Sequence, residues 1–208
     1  MSEYQLHCFR ESGNSYKVAL YLAMAGLDWT PVIVDYFKAG ETRTQRFRED
    51  VNAMGEAPVL THKGRRYTQS GAILTYLADT TGHFAPTPEQ RYEALRWMLF
   101  DNHKFTSYYA TLRFMLNFMP GGETPVTEFL RTRAKGAYAV VDRHLAGQPF
   151  MLGDKPTVAD FSLAGYVFYP EPTGIVLGDY QAVEAWKERL QALPGFKLPY
   201  DLIPQATR

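Results

Sequence analysis

Cysteine is almost absent from this chain of 208 residues, in which Cys8 is the only one. A single cysteine cannot form an internal disulfide, and it excludes the CxxC pair that dithiol reductases use. Cys8 lies in residues 6–9 (LHCF), which are predicted to form a buried strand. Reactive thiols need a polar and partly exposed setting, so we expect Cys8 to be an inert core residue.

The sequence motifs of several common catalytic sites are missing as well. The five histidines do not follow a metal-ligand spacing, and no glycine-rich phosphate loop or Ser-His-Asp set is recognisable. We therefore expect no bound metal and neither phosphate-loop nor triad chemistry.

The chain has no excess of charge of either sign. Lysine plus arginine and aspartate plus glutamate both number 22, which gives a formal net charge of zero and no electrostatic reason to expect nucleic acid or a membrane surface as partner. The most apolar segment, residues 18–27, is too short to cross a bilayer as a helix. Residues 1–6 carry neither a basic leader nor an apolar stretch, so we expect a cytoplasmic protein.

The first eighty residues alternate strand and helix patterns. Strands are predicted at 4–9, 31–36, 58–62 and 65–68, and helices at 18–25, at a single turn over 45–50, and from Ser70 to about Gly82. This order of elements predicts an α/β layer with a mixed sheet.

The rest of the sequence is predicted to be helical. Residues 84–88 contain two prolines and are predicted to be an extended linker. Helical periodicity follows at 89–119, 125–146, 157–168 and 181–193. We therefore predict an α/β domain over residues 1–82 and an all-helical domain over residues 89–208.

Five segments, in this order and spacing, resemble the motifs of cytosolic glutathione transferases over nearly the whole chain. They are residues 12–20 (SGNSYKVAL), 57–60 (APVL), 69–77 (QSGAILTYL), 150–160 (FMLGDKPTVAD), and 186–190 (WKERL) followed by 194–196 (PGF). The resemblance is to serine-type members of the theta, zeta or nu-like bacterial classes. It implies a thioredoxin-like N-terminal domain with a mixed four-stranded sheet, and a C-terminal helical bundle that contributes a pocket for the electrophile.

The first of these motifs implies a role for Ser12 in activating the glutathione thiol. A hydroxyl at a helix N-terminus donates a hydrogen bond to sulfur, and the exposed N–H groups there favour negative charge. Ser15 lies nearer the expected helix and is the alternative donor, or else the N-cap. Asn14 is a further alternative, because a group resembling fungal nitrogen-regulator proteins uses asparagine at this point.

Two other motifs imply the residues that bind the rest of glutathione. A cis Ala57–Pro58 bond is expected to turn the Ala57 backbone towards the cysteinyl part, which then pairs like an added strand. Ser70 begins a helix and is expected to bind the γ-glutamyl carboxylate with its hydroxyl and N–H, with Gln69 beside it. A capping serine and a solvent-facing glutamine are the alternative interpretation.

The aromatic residues of 89–119 lie on too many helical faces for core packing alone. Tyr108 and Tyr109 are therefore candidates for an apolar pocket that receives the second substrate, although core packing is the usual fate of such residues. The spacing of Thr157 and Asp160 predicts a helix start with a folding role.

The function implied is conjugation of glutathione to small apolar electrophiles, or reduction of peroxides with it. Glutathione is expected as co-substrate and a homodimer as the assembly. The alternative is a non-catalytic transferase-like binding or regulatory module. A zeta-like isomerase is less favoured, since that class shows Ser-Ser-Cys-Ser where this chain has SGNS.

Overall fold

A computed structural model describes residues 2–206 of the chain. Its first unit contains a four-stranded mixed sheet in the order β2-β1-β3-β4. The strands are β1 (Tyr4–Cys8), β2 (Trp29–Ile33), β3 (Val59–His62) and β4 (Arg65–Thr68). Only β2 runs parallel to its neighbour β1, and the other two pairings are antiparallel. The mixed four-stranded sheet predicted from the sequence is confirmed.

Strand β2 begins two residues before the predicted start and ends three residues before the predicted end. Its pairing with β1 runs in register from Tyr4 opposite Trp29 to Cys8 opposite Ile33. Because β1 ends at Cys8, the last bond between the two segments is from the Val34 N–H to the Cys8 carbonyl at 2.9 Å, and residues 34–36 lie outside the strand although Val34 and Tyr36 are β-prone. The length of the partner strand thus decided where β2 ends.

Three helices accompany this sheet in the N-terminal part of the chain. They are α1 (Gly13–Met24), α2 (Gln45–Asp50) and α3 (Ser70–Thr81), with a 3₁₀ turn at Glu41–Arg43. Helix α1 is the most buried of them, with nine buried residues among its twelve. Helix α3 ends at Gly82, whose φ of 73° suits a residue without a Cβ atom. The thioredoxin-like order of elements agrees with the prediction.

The second unit, within residues 84–192, is helical. Its helices are α4 (Arg91–Phe100), α5 (Thr106–Asn117), α6 (Pro125–Leu145), α7 (Val158–Leu163) and α8 (Gln181–Gln191), with 3₁₀ turns at Pro88–Gln90 and Leu177–Asp179. Helix α7 covers only the first part of the predicted segment 157–168. The predicted helix start is confirmed: Thr157 and Asp160 form a reciprocal capping box.

The predicted helix over 89–119 is interrupted by five residues of π-helix, Asp101–Phe105. Asp101 in this segment is fully buried and accepts hydrogen bonds from Thr106 Oγ1 at 2.6 Å and from Ser162 Oγ at 2.7 Å. These two bonds satisfy a carboxylate that would otherwise be costly to bury. They also connect the π-helical segment to α7.

The last segment of the chain corrects the predicted domain boundary. Residues 193–206 group with the first unit and not with the helical one, and they include a short helix, α9 (Pro199–Leu202). The phenol of Tyr16 donates to the Lys197 carbonyl at 2.8 Å. A Cβ atom at Gly195 would lie 3.0 Å from Met24 Cα, so the segment passes close to the end of α1. Residues 1, 207 and 208 of the predicted domains lie outside the described residues.

Among the helices within residues 2–206, none combines the length and apolar character needed to span a bilayer.

Candidate active site at the start of helices α1 and α3

Ser12 is the N-cap of α1. Its backbone is extended, with φ −88° and ψ 110°, and its Oγ accepts a hydrogen bond from the Ser15 N–H at 3.1 Å. The Ser12 N–H in turn donates to the Phe9 carbonyl at 3.1 Å. These two bonds hold the hydroxyl at the positive end of a twelve-residue helix, where a negative charge is stabilised. A hydroxyl that accepts one bond still has its own proton to donate.

Ser15 does not cap α1. The expectation that it caps the helix was wrong, because Ser12 has the extended backbone of a cap and Ser15 already lies within the helix. The Ser15 side chain is 0% exposed, against 6% for Ser12. Its Oγ has no hydrogen-bond partner among the described residues. Of these two hydroxyls, that of Ser12 is therefore the more accessible to a ligand at the surface of this turn.

Asn14 joins this turn to the start of α3. The Ser70 hydroxyl donates to Asn14 Oδ1 at 3.3 Å. Asn14 is partly exposed, and its side-chain NH₂ group is a donor on the same short turn as the Ser12 hydroxyl. The structure thus brings together Ser12, Asn14 and Ser70, which come from two different motifs.

The Ala57–Pro58 bond is cis, which confirms the prediction made from the resemblance. The loop before it is fixed by Asn52, whose Nδ2 donates to the Glu56 carbonyl at 2.8 Å and whose Oδ1 accepts from the Met54 N–H at 3.1 Å. Asn52 is itself buried. The backbone that precedes Pro58 is therefore held by side-chain hydrogen bonds.

Gln69 precedes α3 with a φ of 66°, a left-handed conformation that is uncommon for a residue other than glycine. Its side chain is exposed and its Nε2 donates to Glu56 Oε2 at 2.9 Å. Sequence reasoning missed Glu56. The signal that was present is its position, immediately before the Ala57–Pro58 pair.

A cleft lies beside the turn that carries Ser12. It is lined by the residues that precede Ser12 and by the loop that follows β2, including Phe9, Tyr36 and Phe37. The Phe9 and Tyr36 rings are stacked with centroids 4.6 Å apart, and Phe37 meets Tyr36 edge-on at 5.1 Å. The cations of Arg10 and Lys38 also line the cleft. Sequence reasoning missed this aromatic group, since Phe9 is more than twenty residues away from Tyr36 and Phe37 in the sequence.

The two tyrosines proposed for the electrophile pocket differ in their surroundings. Tyr109 is buried in the helical unit between Tyr138 and Tyr166, and burial raises the pKa of its phenol. Tyr108 is half-buried, and the Arg133 guanidinium lies 5.6 Å from its ring centroid. Tyr109 is thus a core residue, and Tyr108 is the member of the pair with accessible surface.

The cysteine at the end of β1 has the inert character expected of it. Cys8 is fully buried, and burial raises the pKa of its thiol to about 12. Such a thiol is protonated at neutral pH and is a poor nucleophile. Within residues 2–206, no group of three His, Cys, Asp or Glu side chains is arranged to hold a metal ion.

Comparison with protein families gives matches to both units. Residues 6–87 match the model of the glutathione S-transferase N-terminal domain, and residues 107–192 match that of the C-terminal domain. A solved structure of a glutathione S-transferase from Pseudomonas fluorescens Pf-5 superposes with a TM-score of 0.89 at 30% identity, over 96% of this chain and 100% of that one.

Two further proteins are similar to the chain over most of its length. The disulfide-bond oxidoreductase YfcG of Escherichia coli K12 is 27% identical over 202 residues, which cover 89% of each protein. A glutathione transferase from Burkholderia graminis, whose structure has two glutathione molecules bound per subunit, has a TM-score of 0.80 and 25% identity, over 93% of this chain and 85% of that one.

Proposed function

Because this chain belongs to the glutathione S-transferase family, whose members include glutathione-dependent enzymes, we propose that it activates glutathione with Ser12 for attack on small apolar electrophiles or peroxides. The observation that carries this proposal is the Ser12 hydroxyl, held at the N-terminus of α1 by the Ser15 N–H with its own proton left to donate. The chain is a glutathione transferase-type enzyme. The attack on electrophiles or peroxides is the reaction that we propose for it.

The proposed chemistry starts with ionisation of the glutathione thiol. A free thiol has a pKa of about 8.5, and a hydrogen bond to a charged partner contributes roughly 1.5–3 kcal/mol, which corresponds to about one to two pKa units. The Ser12 O–H donates to the thiolate sulfur while the thiol proton passes to solvent. The α1 dipole favours the same charge. Together they make the thiolate the major species near neutral pH.

The ionised sulfur then reacts with the second substrate. With an electrophilic carbon, the sulfur forms a C–S bond and the leaving group departs with its electron pair. With a hydroperoxide, the sulfur attacks the O–O bond and gives a sulfenic acid and an alcohol. A second glutathione then reduces the sulfenic acid, releasing water and glutathione disulfide.

Residues further from the sulfur hold the remainder of the tripeptide in this proposal. The Ala57 backbone pairs with the cysteinyl part, and the Ser70 N–H at the start of α3 binds the γ-glutamyl carboxylate, since the Ser70 hydroxyl already donates its proton to Asn14 Oδ1. The bond between Ser70 and Asn14 supports this arrangement, because it fixes the start of α3 beside the turn that carries Ser12. The Gln69 amide lies next to Ser70 and is exposed to ligand.

We assign the second substrate to the aromatic cleft of Phe9, Tyr36 and Phe37. The residues before Ser12 line this cleft, so a planar apolar molecule there lies next to the turn that activates the sulfur. The assignment of Tyr108 to an electrophile pocket, made from the aromatic content of residues 89–119, stays a prediction.

Thiol–disulfide exchange is a second candidate function. It is favoured by the 27% identity to the disulfide-bond oxidoreductase YfcG over 89% of the chain. Since Cys8 is buried and protonated, the thiols would come from glutathione itself. The thiolate of one glutathione attacks a disulfide and releases one thiolate, and a second glutathione then resolves the mixed disulfide. The Burkholderia graminis relative, whose structure has two glutathione molecules bound per subunit, supports a site that accepts two glutathione molecules.

We infer that the protein acts as a homodimer in the cytoplasm. Three apolar side chains on one face of α4 are largely exposed: Tyr92 at 81%, Leu95 at 49% and Leu99 at 60%. Their spacing of three and four residues places them in a single stripe. An exposed apolar stripe of this kind is typical of an interface, and a second copy of the chain is the proposed occupant. The cytosolic glutathione pool is the proposed source of the co-substrate.

The experiment that tests the main proposal measures binding and turnover together. Thermal shift with glutathione is followed by rate measurements with a chloronitroarene, an organic hydroperoxide and a small disulfide. We expect glutathione to raise the melting temperature and at least one of the first two substrates to turn over. Turnover of the disulfide alone would support exchange instead. Binding without turnover of any substrate would support the non-catalytic module.

A further inference from the structure

The carboxylate of Glu56 lies at the edge of the proposed glutathione site, next to the side chain of Gln69. It is exposed, and it accepts a hydrogen bond from Gln69 Nε2 at 2.9 Å. Its backbone is held in place, since the Glu56 carbonyl accepts from the buried Asn52 at 2.8 Å. A charged group on a fixed backbone beside the start of α3 is well placed to recognise a ligand there.

The surroundings of Glu56 match the two charges of an α-amino acid group. The N-terminus of the twelve-residue helix α3, with Ser70 as its first residue, favours a carboxylate. The Glu56 carboxylate, tied to Gln69 directly before that helix, favours an ammonium. One oxygen of Glu56 accepts from Gln69, and a carboxylate has further acceptor positions for a second donor.

We propose that Glu56 is a specificity-determining residue that binds the α-ammonium of the γ-glutamyl end of glutathione. This inference rests on the proposed glutathione site, and it names the group by which that site distinguishes glutathione from an uncharged or deaminated peptide. The Gln69 amide positions the Glu56 carboxylate, while the start of α3 holds the α-carboxylate of the same amino acid group.

The test compares glutathione with glutaryl-cysteinylglycine, which lacks only the α-amino group. Dissociation constants for both peptides are measured by titration calorimetry with the wild-type protein and with Glu56→Gln. The glutamine keeps the size of the side chain and an oxygen that accepts from Gln69, but it removes the charge. We expect the wild-type protein to prefer glutathione by about tenfold and Glu56→Gln to bind both peptides about equally.

A matched control is available on α2. The Gln45 Nε2 donates to the exposed Glu49 Oε1 at 2.6 Å, so Glu49→Gln makes the same change in a similar surface pair. We expect this variant to retain the wild-type preference for glutathione.

Three other outcomes would contradict the proposed role of Glu56, and each has a different meaning. If Glu56→Gln weakens both peptides equally, Glu56 serves only to hold Gln69. If the variant keeps the preference for glutathione, the ammonium is bound elsewhere. If the wild-type protein binds neither peptide, the proposed glutathione site itself is wrong and the inference falls with it.

Discussion

The Ser70 hydroxyl donates a hydrogen bond to Asn14 Oδ1 at 3.3 Å, and this bond joins the first turn of α3 to the first turn of α1. The N-termini of both helices carry unpaired N–H groups and favour negative charge. Glutathione has a carboxylate at its γ-glutamyl end and acquires a negative charge on sulfur when it ionises. The bond therefore fixes the positions of the two groups, Ser70 and the turn of Ser12, that are proposed to bind those charges.

Replacing Ser12 with alanine tests the proposed thiolate donor. We expect the pKa of the bound thiol to rise by about one to two units, because one charge-assisted hydrogen bond is lost. Turnover at pH 7 should then fall roughly ten- to a hundredfold, with little change in glutathione affinity. Ultraviolet titration of the bound thiolate measures the pKa.

Ser12→Ala also removes the N-cap of α1, so its effect on activity has to be separated from a loss of stability of about 1 kcal/mol. Thr124→Ala is the matched control, since Thr124 Oγ1 caps α6 by accepting from the Thr127 N–H at 3.2 Å. We expect a similar stability loss in Thr124→Ala with an unchanged thiol pKa. An unchanged thiol pKa in Ser12→Ala would instead point to Asn14 or to backbone N–H groups as the donor.

Ser15→Ala should have the opposite effect on stability to Ser12→Ala. The Ser15 hydroxyl is buried and has no hydrogen-bond partner among the described residues, so its removal relieves a desolvated polar group. Alanine is also the better helix former. We expect the free energy of unfolding, measured with urea, to be unchanged or to rise by up to about 1 kcal/mol. A raised thiol pKa in this variant would mean that Ser15, and not Ser12, contacts the sulfur.

Gln69→Ala should weaken glutathione binding and leave the thiol pKa nearly unchanged. The proposed contacts of Gln69 are at the γ-glutamyl end, away from the sulfur, and they are the same in the ground state and the transition state. We therefore expect a higher KM for glutathione with a kcat close to that of the wild type. A normal KM with a strongly reduced kcat would contradict this role.

The sequence was sufficient to predict those features of the fold that depend on local patterns. These features depend on residues close together in the sequence: the alternation of strands, the periodicity of helices and the spacing of Thr157 and Asp160. The structure contains the strands, the helices and the capping box that they predict. The cap of α1 was assigned to the wrong serine, because two serines three residues apart both suit a helix start. Only the backbone dihedrals of Ser12, extended and not helical, distinguish them.

Contacts between residues that are far apart in the chain could not be predicted from the sequence. The helix predicted at 181–193 is present as α8 (Gln181–Gln191), but nothing local indicates that Gly195 lies against the backbone of α1. The contact of Glu56 with Gln69 joins residues thirteen apart, and Glu56 lies at the end of a loop that the buried Asn52 holds. The π-helical segment at Asp101 likewise depends on Ser162, sixty-one residues later.

Asp160→Ala should be strongly destabilising. The fully buried Asp160 carboxylate accepts hydrogen bonds from the Met151 N–H at 2.9 Å, the Thr157 N–H at 2.8 Å and the Trp186 Nε1–H at 2.9 Å. Removing it leaves three buried donors unsatisfied, at a cost of about 1–3 kcal/mol each. We expect a total loss of roughly 3–9 kcal/mol in urea unfolding, a large share of the stability of an ordinary domain.

Two variants keep that measurement interpretable. Asp154→Ala changes an exposed aspartate six residues earlier, and we expect it to alter stability by less than about 0.5 kcal/mol. Asp160→Asn keeps an acceptor oxygen and should fall between the two. A wild-type unfolding curve for Asp160→Ala would show that the three donors find other partners.

Leu99→Glu should convert the proposed homodimer into a monomer. Leu99 is 60% exposed on the apolar stripe of α4 that also contains Tyr92 and Leu95. In a two-fold symmetric interface each substitution occurs twice, so the cost of burying the new carboxylate counts twice. We expect light scattering at micromolar concentration to give the mass of two chains for the wild type and of one chain for Leu99→Glu. Val176→Glu, at a loop residue that is 62% exposed, is the matched control and should remain a dimer. A wild-type monomer would refute the dimer itself, and a dimeric Leu99→Glu would place the interface on another face.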